Sequence, residues 1–395
     1  MSKKISLGAA IGLIAIAIAL TISLTLTVSS DMYNSLLSEL PERVKTYSLL
    51  EEISNIVKSN YYGKIDQDDL ESAISSGYIN GLDDKYSKYM SADEYAKYDS
   101  EIHGKMKGIG IKYSKSGNYI KIDKVYQGSP AQVSGLSKGD LIVAFDGEGL
   151  TKDNYNDMVS KLEGDKLSTV NLTYRSGDEE KTVSVAKGYE ASSVTTHSDG
   201  VIGYIMISEF YSTTPSQVEE AVNKFVSQGA TGLIIDLRDN SSTNFEAAIE
   251  VLDIFVPIAE GTSSVATVVD AKGNTISGYT STASSVNLPM VVLVNGNTLG
   301  GAELIACDLR DFGKAEIVGT TTAGAGVMQK IFELTDGSAV LLSVGEIIPY
   351  KSESYNGKGV QPDYEVEKES ESDDIMKDNV YLYAVSLLNK SNEEG

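Results

Sequence analysis

The sequence predicts a mixed α/β chain made of an amino-terminal membrane helix, a helical module, a β-rich module and a crossover α/β core. Three observations predict it. Lys3 and Lys4 precede an uncharged, mostly apolar run from Ile5 to Val28, long enough to cross a bilayer. The stretch "MKGIGIKYSKSGNYIKIDKVYQGSPAQVSGLSKGDLIVAFDGEGL", from Met106, alternates apolar and polar residues between glycine-marked turns, as half-buried strands do. From about Gly200 the pattern becomes strand, helix, strand, which implies parallel strands joined through helices.

Taken in order, residues 1–30 are expected to form a membrane anchor. The two lysines favour a cytoplasmic amino terminus and leave the bulk of the chain outside the cell. A cleaved signal peptide has a shorter apolar core, so the expected localisation is the cell membrane, single-pass. Residues 31–100 read as a helical module: "YSLLEEISNIVKSNYY" places Leu49, Ile53, Ile56 and Val57 on one helix face. "DQDDLESAISSGYINGL" adds an acidic helix start and a glycine stop. This module is a candidate for homodimer formation.

Residues 101–188 form the β-rich part. "NYIKIDKVY" and "DLIVAFDG" read as strands, "PAQVSGL" as a short helix between them, and "TVNLTYRSG" with "KTVSVAKG" as a hairpin. Residues 189–395 form the core. "VIGYIMIS", "GLIIDLRD", "MVVLVNG" and "AEIVG" are strands; "TPSQVEEAVNKFVSQG", "NFEAAIEVLDIFV" and "GGAELIACDLRDFG" are the helices between them. Pro215 suits a first helical turn and Gly229 a helix end. The acidic stretch "EVEKESESDD" reads as a solvated linker before a last helix, "DNVYLYAVSLLNK".

Composition excludes several function classes. A net charge of −23 leaves no dominant basic surface for nucleic acid. The one cysteine, Cys307, lies in "AELIACDL" with no histidine near it in the sequence, and reads as structural. Only His103 and His197 exist, and no Cys, His and carboxylate group has zinc-ligand spacing. No metal and no cofactor is expected.

Two segments carry chemistry. "KGIGI", Lys107, Gly108, Ile109, Gly110 and Ile111, resembles the carboxylate-binding loop of a PDZ domain, and "SPAQVSGLSKGDLIVAFDG" resembles the helix–glycine–strand core of that module. Glycines let backbone N–H groups converge on a peptide's terminal carboxylate, and the peptide then adds as a strand to the sheet edge. Peptide or protein C-termini are the expected partners.

The second segment is "NTLGGAELIACDLRDFGKAEIVGTTTAGAGVMQ", Asn297 to Gln329. With "GLDDKYSKYMSADEY", "IGYIMISEF", "GLIIDLRDN", "PMVVLVNGNT", "GKGVQPDYEV" and "DNVYLYAVSLL", it makes residues 40–390 resemble the carboxy-terminal processing peptidases, or tail-specific proteases. The resemblance implies a PDZ domain placed before a ClpP/crotonase-like α/β protease core. Members of that family use a serine nucleophile in a pattern like "SASASE" and a lysine general base in "TFGKGxxQ", with the glutamine orienting the lysine.

Anchored on Glu303, "TLGGAE" falls on the first pattern and "TAGAGVMQ" on the second. The nucleophile position is then Gly300 and the lysine position Ala325, at the family's spacing of twenty-five residues, while Gln329 is retained. The family's "LRDNPGG", whose glycine backbone helps form the oxyanion hole, reads "LRDNSST" here, with Ser242 and Thr243 in place of both glycines. A donor aimed at an oxyanion is worth about 3–4 kcal/mol.

The frame is intact and the reactive groups are missing. The sequence therefore points to a membrane-anchored, extracytoplasmic pseudopeptidase that binds C-termini, shields or senses substrates, or partners an active homologous peptidase. The second reading is an active serine-type endopeptidase with a non-standard nucleophile, such as Thr298 paired with Lys330. A third is a purely structural role through the helical module.

Overall fold

The computed structural model describes residues 21, 45–126, 128–162, 168–257, 264–281, 286–369 and 374–394. The chain divides into two compact units, Met1–Glu71 and Ser72–Gly395.

Of the first unit, α1 is described over residues 45–60. Its expected apolar face is exposed, with Leu49 at 58%, Ile53 at 48% and Ile56 at 56%. The helix α2, Gln67–Asn80, follows with Asp68 and Asp69 in its first turn, where carboxylates oppose the helix dipole favourably.

Among the described residues no helix is long and apolar enough to cross a membrane. The run from Ile5 to Val28, apart from Thr21, lies outside the described residues. The membrane anchor, the membrane as a partner and the cell-membrane localisation are withdrawn with it.

The strand β1, Lys88–Met90, and the helix α3, Ala92–Ile102, come next. Ser91 caps α3: its side chain accepts from the Glu94 N–H while the Glu94 carboxylate accepts from the Ser91 N–H, a reciprocal cap. Then β2, Lys105–Met106, pairs with β9, Tyr189–Glu190, and the two strands flank a β-rich module.

That module runs β3 (Ile111–Ser116), β4 (Tyr119–Val125), α4 (Pro130–Val133), β5 (Leu141–Phe145), β6 (Glu148–Gly149), α5 (Tyr155–Ser160), β7 (Ser168–Ser176) and β8 (Glu179–Lys187). Its sheet order is β3-β4-β5-β7-β8, with β6 paired to β5. The predicted hairpin is β7–β8, with Ser176 opposite Glu179 and Gly177 in the turn at φ 61°. Ile120, Ile122, Ile142, Phe145, Leu172 and Val185 form the module's own core, none of them exposed.

The larger core holds β10 (Val194–Asp199), β11 (Ile202–Ile207), α6 (Thr214–Ser227), β12 (Gly232–Asp236), α7 (Phe245–Asp253), β13 (Ser264–Val269), β14 (Thr275–Thr280), β15 (Met290–Val294), α8 (Gly301–Asp311), β16 (Ala315–Gly319), β17 (Val327–Glu333), β18 (Ala339–Pro349), β19 (Tyr364–Glu365) and α9 (Asn379–Glu394). The acidic stretch read as a linker thus begins as β19. One sheet has the order β10-β11-β12-β15-β16-β19. From β11 to β19 each neighbouring pair is parallel. A second sheet has the order β1-β18-β13-β14, with β17 on β18.

Strand alternation explains the layering. Leu233 and Ile235 of β12 pack with residues of α6, α7 and α8, whereas Ile234 packs with Val380, Tyr381, Ala384 and Leu388 of α9. Successive side chains point to opposite faces, so a sheet covered on both faces needs an apolar residue at every position. "MVVLV" meets that demand throughout and "GLIID" up to its last position, where the buried Asp236 is paired with Arg238.

Candidate active-site cleft and peptide groove

The cleft forms where β12 and β15 end. Parallel strands place the loops after neighbouring strands side by side, and ligand sites gather there. The loop after β12 and the loop after β15 are joined by the Leu299 N–H donating to the Asn240 carbonyl at 2.9 Å. Asp239, at φ 59°, accepts from the side-chain amides of Asn295 at 2.9 Å and Asn297 at 2.8 Å. The Asn297 amide, followed by that of Asn295, holds the Asp239 carboxyl below its ordinary value.

Gly300, Ala325 and Gln329 line one small cleft with Tyr86, Ser242, Thr243, Phe245, Leu299, Gly301 and Val327. All three residues read from the sequence are thus brought together. Gly300 sits at the start of α8 with φ 64° and ψ −113°, a combination that glycine adopts and other residues resist. A Cβ built there would meet nothing closer than the Ser242 carbonyl at 3.6 Å.

Glu303 organises the Gly300 and Ala325 positions. It is fully buried, and its carboxylate accepts from the N–H groups of Gly300 at 3.0 Å, Gly324 at 2.7 Å and Ala325 at 2.7 Å. The Thr322 hydroxyl donates to it as well. A single carboxylate therefore fixes the first turn of α8 against the loop that carries Ala325. The Tyr355 hydroxyl donates to the Gly300 carbonyl at 2.9 Å from a buried position, and burial holds its phenol far above the usual value.

Most of the remaining polar groups are occupied, the exception being the buried Tyr86 hydroxyl, which has no partner among the described residues. Gln329 donates from its side chain to the Tyr86 carbonyl. The Ser242 N–H donates to Asn240 Oδ1 at 3.2 Å, and the Ser242 hydroxyl donates to the Phe210 carbonyl at 3.3 Å. The Thr243 hydroxyl is 2.8 Å from the Tyr98 hydroxyl.

Thr298 and Lys330 are not arranged as a dyad. Thr298 is fully buried; its hydroxyl donates to the Leu237 carbonyl at 2.9 Å and accepts from the Asn295 N–H at 3.0 Å. Lys330 is exposed, with its ammonium 5.6 Å above the Phe332 ring. Lys314 precedes β16, and the pairing of Met290 with Ala315 puts it a strand length away from Val294 and the cleft. Cys307 is buried and free; burial pushes its thiol up to about 11.

Sequence reasoning used Glu303 only as an anchor and passed over Tyr86, Thr322 and Tyr355. Glu303 had a local signal, since a glutamate three residues into a helix is the usual partner of the residue before it. Tyr86 and Tyr355 come from distant segments and carried none, and Thr322, three residues before Ala325, shows its role only in its contact with Glu303.

The second site is the loop before β3. Lys107 is exposed, Gly108 and Ile109 are buried, and Gly110 and Ile111 are half-buried. Gly108 and Gly110 both have φ 79°. A Cβ on Gly110 would lie 2.2 Å from the Ser129 Cβ, so only glycine fits. The carbonyls of Gly108, Ile109 and Gly110 accept from the N–H groups of Gly188 at 2.7 Å, Ala131 at 2.9 Å and Tyr126 at 3.0 Å. Neither the Ile109 nor the Gly110 N–H donates to an acceptor among the described residues. Pinned carbonyls and free neighbouring N–H groups are the requirements of an anion-binding nest.

Comparison with known proteins gives the family of each module. Residues 201–366 match the model of peptidase family S41, and residues 108–186 match that of the PDZ domain. The carboxy-terminal processing protease CtpA of Bacillus subtilis strain 168 is 31% identical over 315 residues, 79% of this chain and 67% of that protein. A protein named "Probable CtpA-like serine protease" from Staphylococcus aureus strain N315 is 27% identical over 319 residues, 80% of this chain and 64% of its own length. This chain therefore spans less than two thirds of that relative. A solved S41-protease structure from Bacteroides fragilis NCTC 9343 superposes with a TM-score of 0.53 at 19% identity, over 84% of this chain and 91% of that one, which shows the shared fold.

An α/β peptidase core carrying a PDZ module is the class that fold and sites define. Within it, the chain belongs to the tail-specific, S41/CtpA-like serine peptidase family.

Proposed function

We propose that this protein is a pseudopeptidase: it binds peptide or protein C-termini through its PDZ module and does not hydrolyse them. The observation that carries the reading is the pair Gly300 and Ala325 in one cleft with Gln329. A hydrogen atom and a methyl group stand where the family pattern has an alcohol and an amine. Acyl transfer by a serine needs a hydroxyl within hydrogen-bond reach of a base, and neither position supplies one. The Ser242 N–H, committed to Asn240, further weakens any oxyanion site.

The scaffold features retained are those that bind rather than react. Glu303 keeps the two degenerate positions in register. The free N–H groups of Ile109 and Gly110 supply donors for a carboxylate, and β3 supplies a sheet edge. The alternative, an active endopeptidase with Thr298 as nucleophile, requires that hydroxyl to leave the Leu237 carbonyl and find a base.

Titration of the full chain with peptides ending in a free carboxylate, against the same peptides ending in an amide, tests the binding half. Tighter binding of the free acid by about tenfold or more, the range of a charge-assisted contact, is expected. Equal affinity removes carboxylate capture from the account.

A further inference from the structure

The groove beside β3 is basic in an acidic protein. Over β3 and β4 stand Lys112, Lys115, Lys121 and Lys124 against one carboxylate, Asp123, in a chain of net charge −23. All four lysines are exposed. Among the described residues none of them forms an ion pair, and Asp123 instead accepts from the Ser114 hydroxyl at 3.0 Å.

Their placement adds to their number. Lys112 lies directly opposite Lys124 in the β3–β4 ladder, and like charges facing across strands destabilise a sheet. Lys124 turns its ammonium over the Tyr126 ring at 5.3 Å, and neither lysine has a carboxylate partner among the described residues. β3 is an edge strand, hydrogen-bonded to β4 on one side only. Lys115 reaches toward α5 with its ammonium 4.1 Å above the Tyr155 ring. Lys112 and Lys115 thus mark the two ends of the free edge, beginning two residues beyond the nest of Gly108 to Gly110.

We propose that the groove selects acidic peptides: an extended chain whose terminal carboxylate sits at the Ile109 and Gly110 N–H groups, with Glu or Asp side chains upstream held by Lys112 and Lys115. The inference rests on the binding reading above and adds the chemistry of the ligand. An acidic strand on β3 relieves the Lys112–Lys124 repulsion and draws Lys115 from the Tyr155 ring to a carboxylate. Such contacts are solvent-exposed, so each adds little and salt weakens both.

The test is fluorescence anisotropy on the full chain with three labelled nonapeptides: one with Glu at every position before a free terminal Ala, so that acids stand on both faces of the added strand as Lys112 and Lys115 do on β3, its Gln-for-Glu counterpart, and the acidic peptide ending in an amide. The acidic free acid is expected to bind about fivefold tighter than the Gln peptide, two exposed charge contacts converted to affinity. High salt and the Lys112→Glu, Lys115→Glu double variant should each erase that gap, and the variant should still bind the Gln peptide.

Equal affinity for the Glu and Gln peptides overturns the charge proposal and leaves carboxylate capture standing. Equal affinity for acid and amide, with the Glu preference kept, does the reverse. No binding of any peptide overturns both. Salt-sensitive self-association of the unliganded chain, lost in the lysine variant and without any Glu preference, assigns the lysines to a second copy and also overturns the proposal.

Discussion

At the scale of single residues, Glu303 carries more of the cleft than the positions it supports. Its carboxylate takes donors from Gly300, Thr322, Gly324 and Ala325 in a fully buried setting. Glu303→Gln turns an amide toward N–H groups that need an acceptor. The expected loss is about 3 kcal/mol of stability, read as a lower urea midpoint at unchanged slope; a loss under about 0.5 kcal/mol would show that the carboxylate does not hold the cleft.

Gly300 makes the complementary point. A Cβ has room there, yet φ 64° with ψ −113° is costly for any other residue, on the order of 1–3 kcal/mol. Gly300→Ser with Ala325→Lys should therefore destabilise the chain and leave hydrolysis of an unfolded substrate at background, because the Ser242 N–H remains with Asn240. Robust turnover from the two changes alone would mean that the anion site is still competent.

At the scale of elements, α8 combines a functional start with a buried acid. Asp308 is fully buried, its Oδ1 accepts from the Tyr350 N–H at 3.0 Å, and its Oδ2 has no protein partner. Burial pushes its carboxyl up to about 8, with Asp311 adding to the rise. An acid raised on folding binds its proton more tightly in the native state. Its stabilising contribution is whole below the unfolded value near 3.9 and is lost as pH climbs through about 8. Asp308→Asn removes that slope and should raise stability by roughly 2 kcal/mol at pH 8 relative to its effect at pH 4, measured by thermal unfolding at both values. A pH-independent difference between the two chains would show that Asp308 is ionised in the fold.

Asp239 has the opposite sign. Its depressed carboxyl stabilises above the unfolded value, and that contribution disappears as pH falls through the folded one.

The same helix shows what sequence can and cannot reveal. "GGAELIACDLRDFG" announced a helix, and α8 spans Gly301–Asp311. β12 and β15 were legible because uninterrupted apolar runs suit strands covered on both faces. The closeness of Gly300 and Ala325 was legible from spacing alone, and the two line one cleft. The supports of the cleft were not legible, since Tyr86 and Tyr355 reach it from segments far apart in the chain and Thr322 shows its role only through its contact with Glu303. The Lys112–Lys124 confrontation was hidden as well, because it depends on a register shift between Lys112 and Tyr113. The apolar stripe expected on α1 is exposed in the structure at Leu49, Ile53 and Ile56.

For the molecule as a whole, Arg238 links the central sheet to the carboxy-terminal helix. Its guanidinium, mostly buried, meets Asp236 at 2.5 Å and Asp378 at 2.8 Å, and the Tyr204 hydroxyl donates to Asp236 at 2.8 Å. Asp378 also accepts from the Val380 N–H at 2.9 Å at the start of α9. Arg238→Leu leaves two buried carboxylates unpaired and should cost about 3–5 kcal/mol, detected as a loss of cooperative unfolding at a lowered midpoint. This ion cluster lies outside the residues that line the cleft.

The central claim is that this scaffold holds C-termini and leaves them whole. It is tested most directly by incubating the full chain with a saturating C-terminal free-acid peptide and following peptide mass over days while anisotropy reports the bound fraction. The account predicts a bound peptide of unchanged mass. A shorter product that accumulates with time, and is absent with the Thr298→Ala chain, would contradict it.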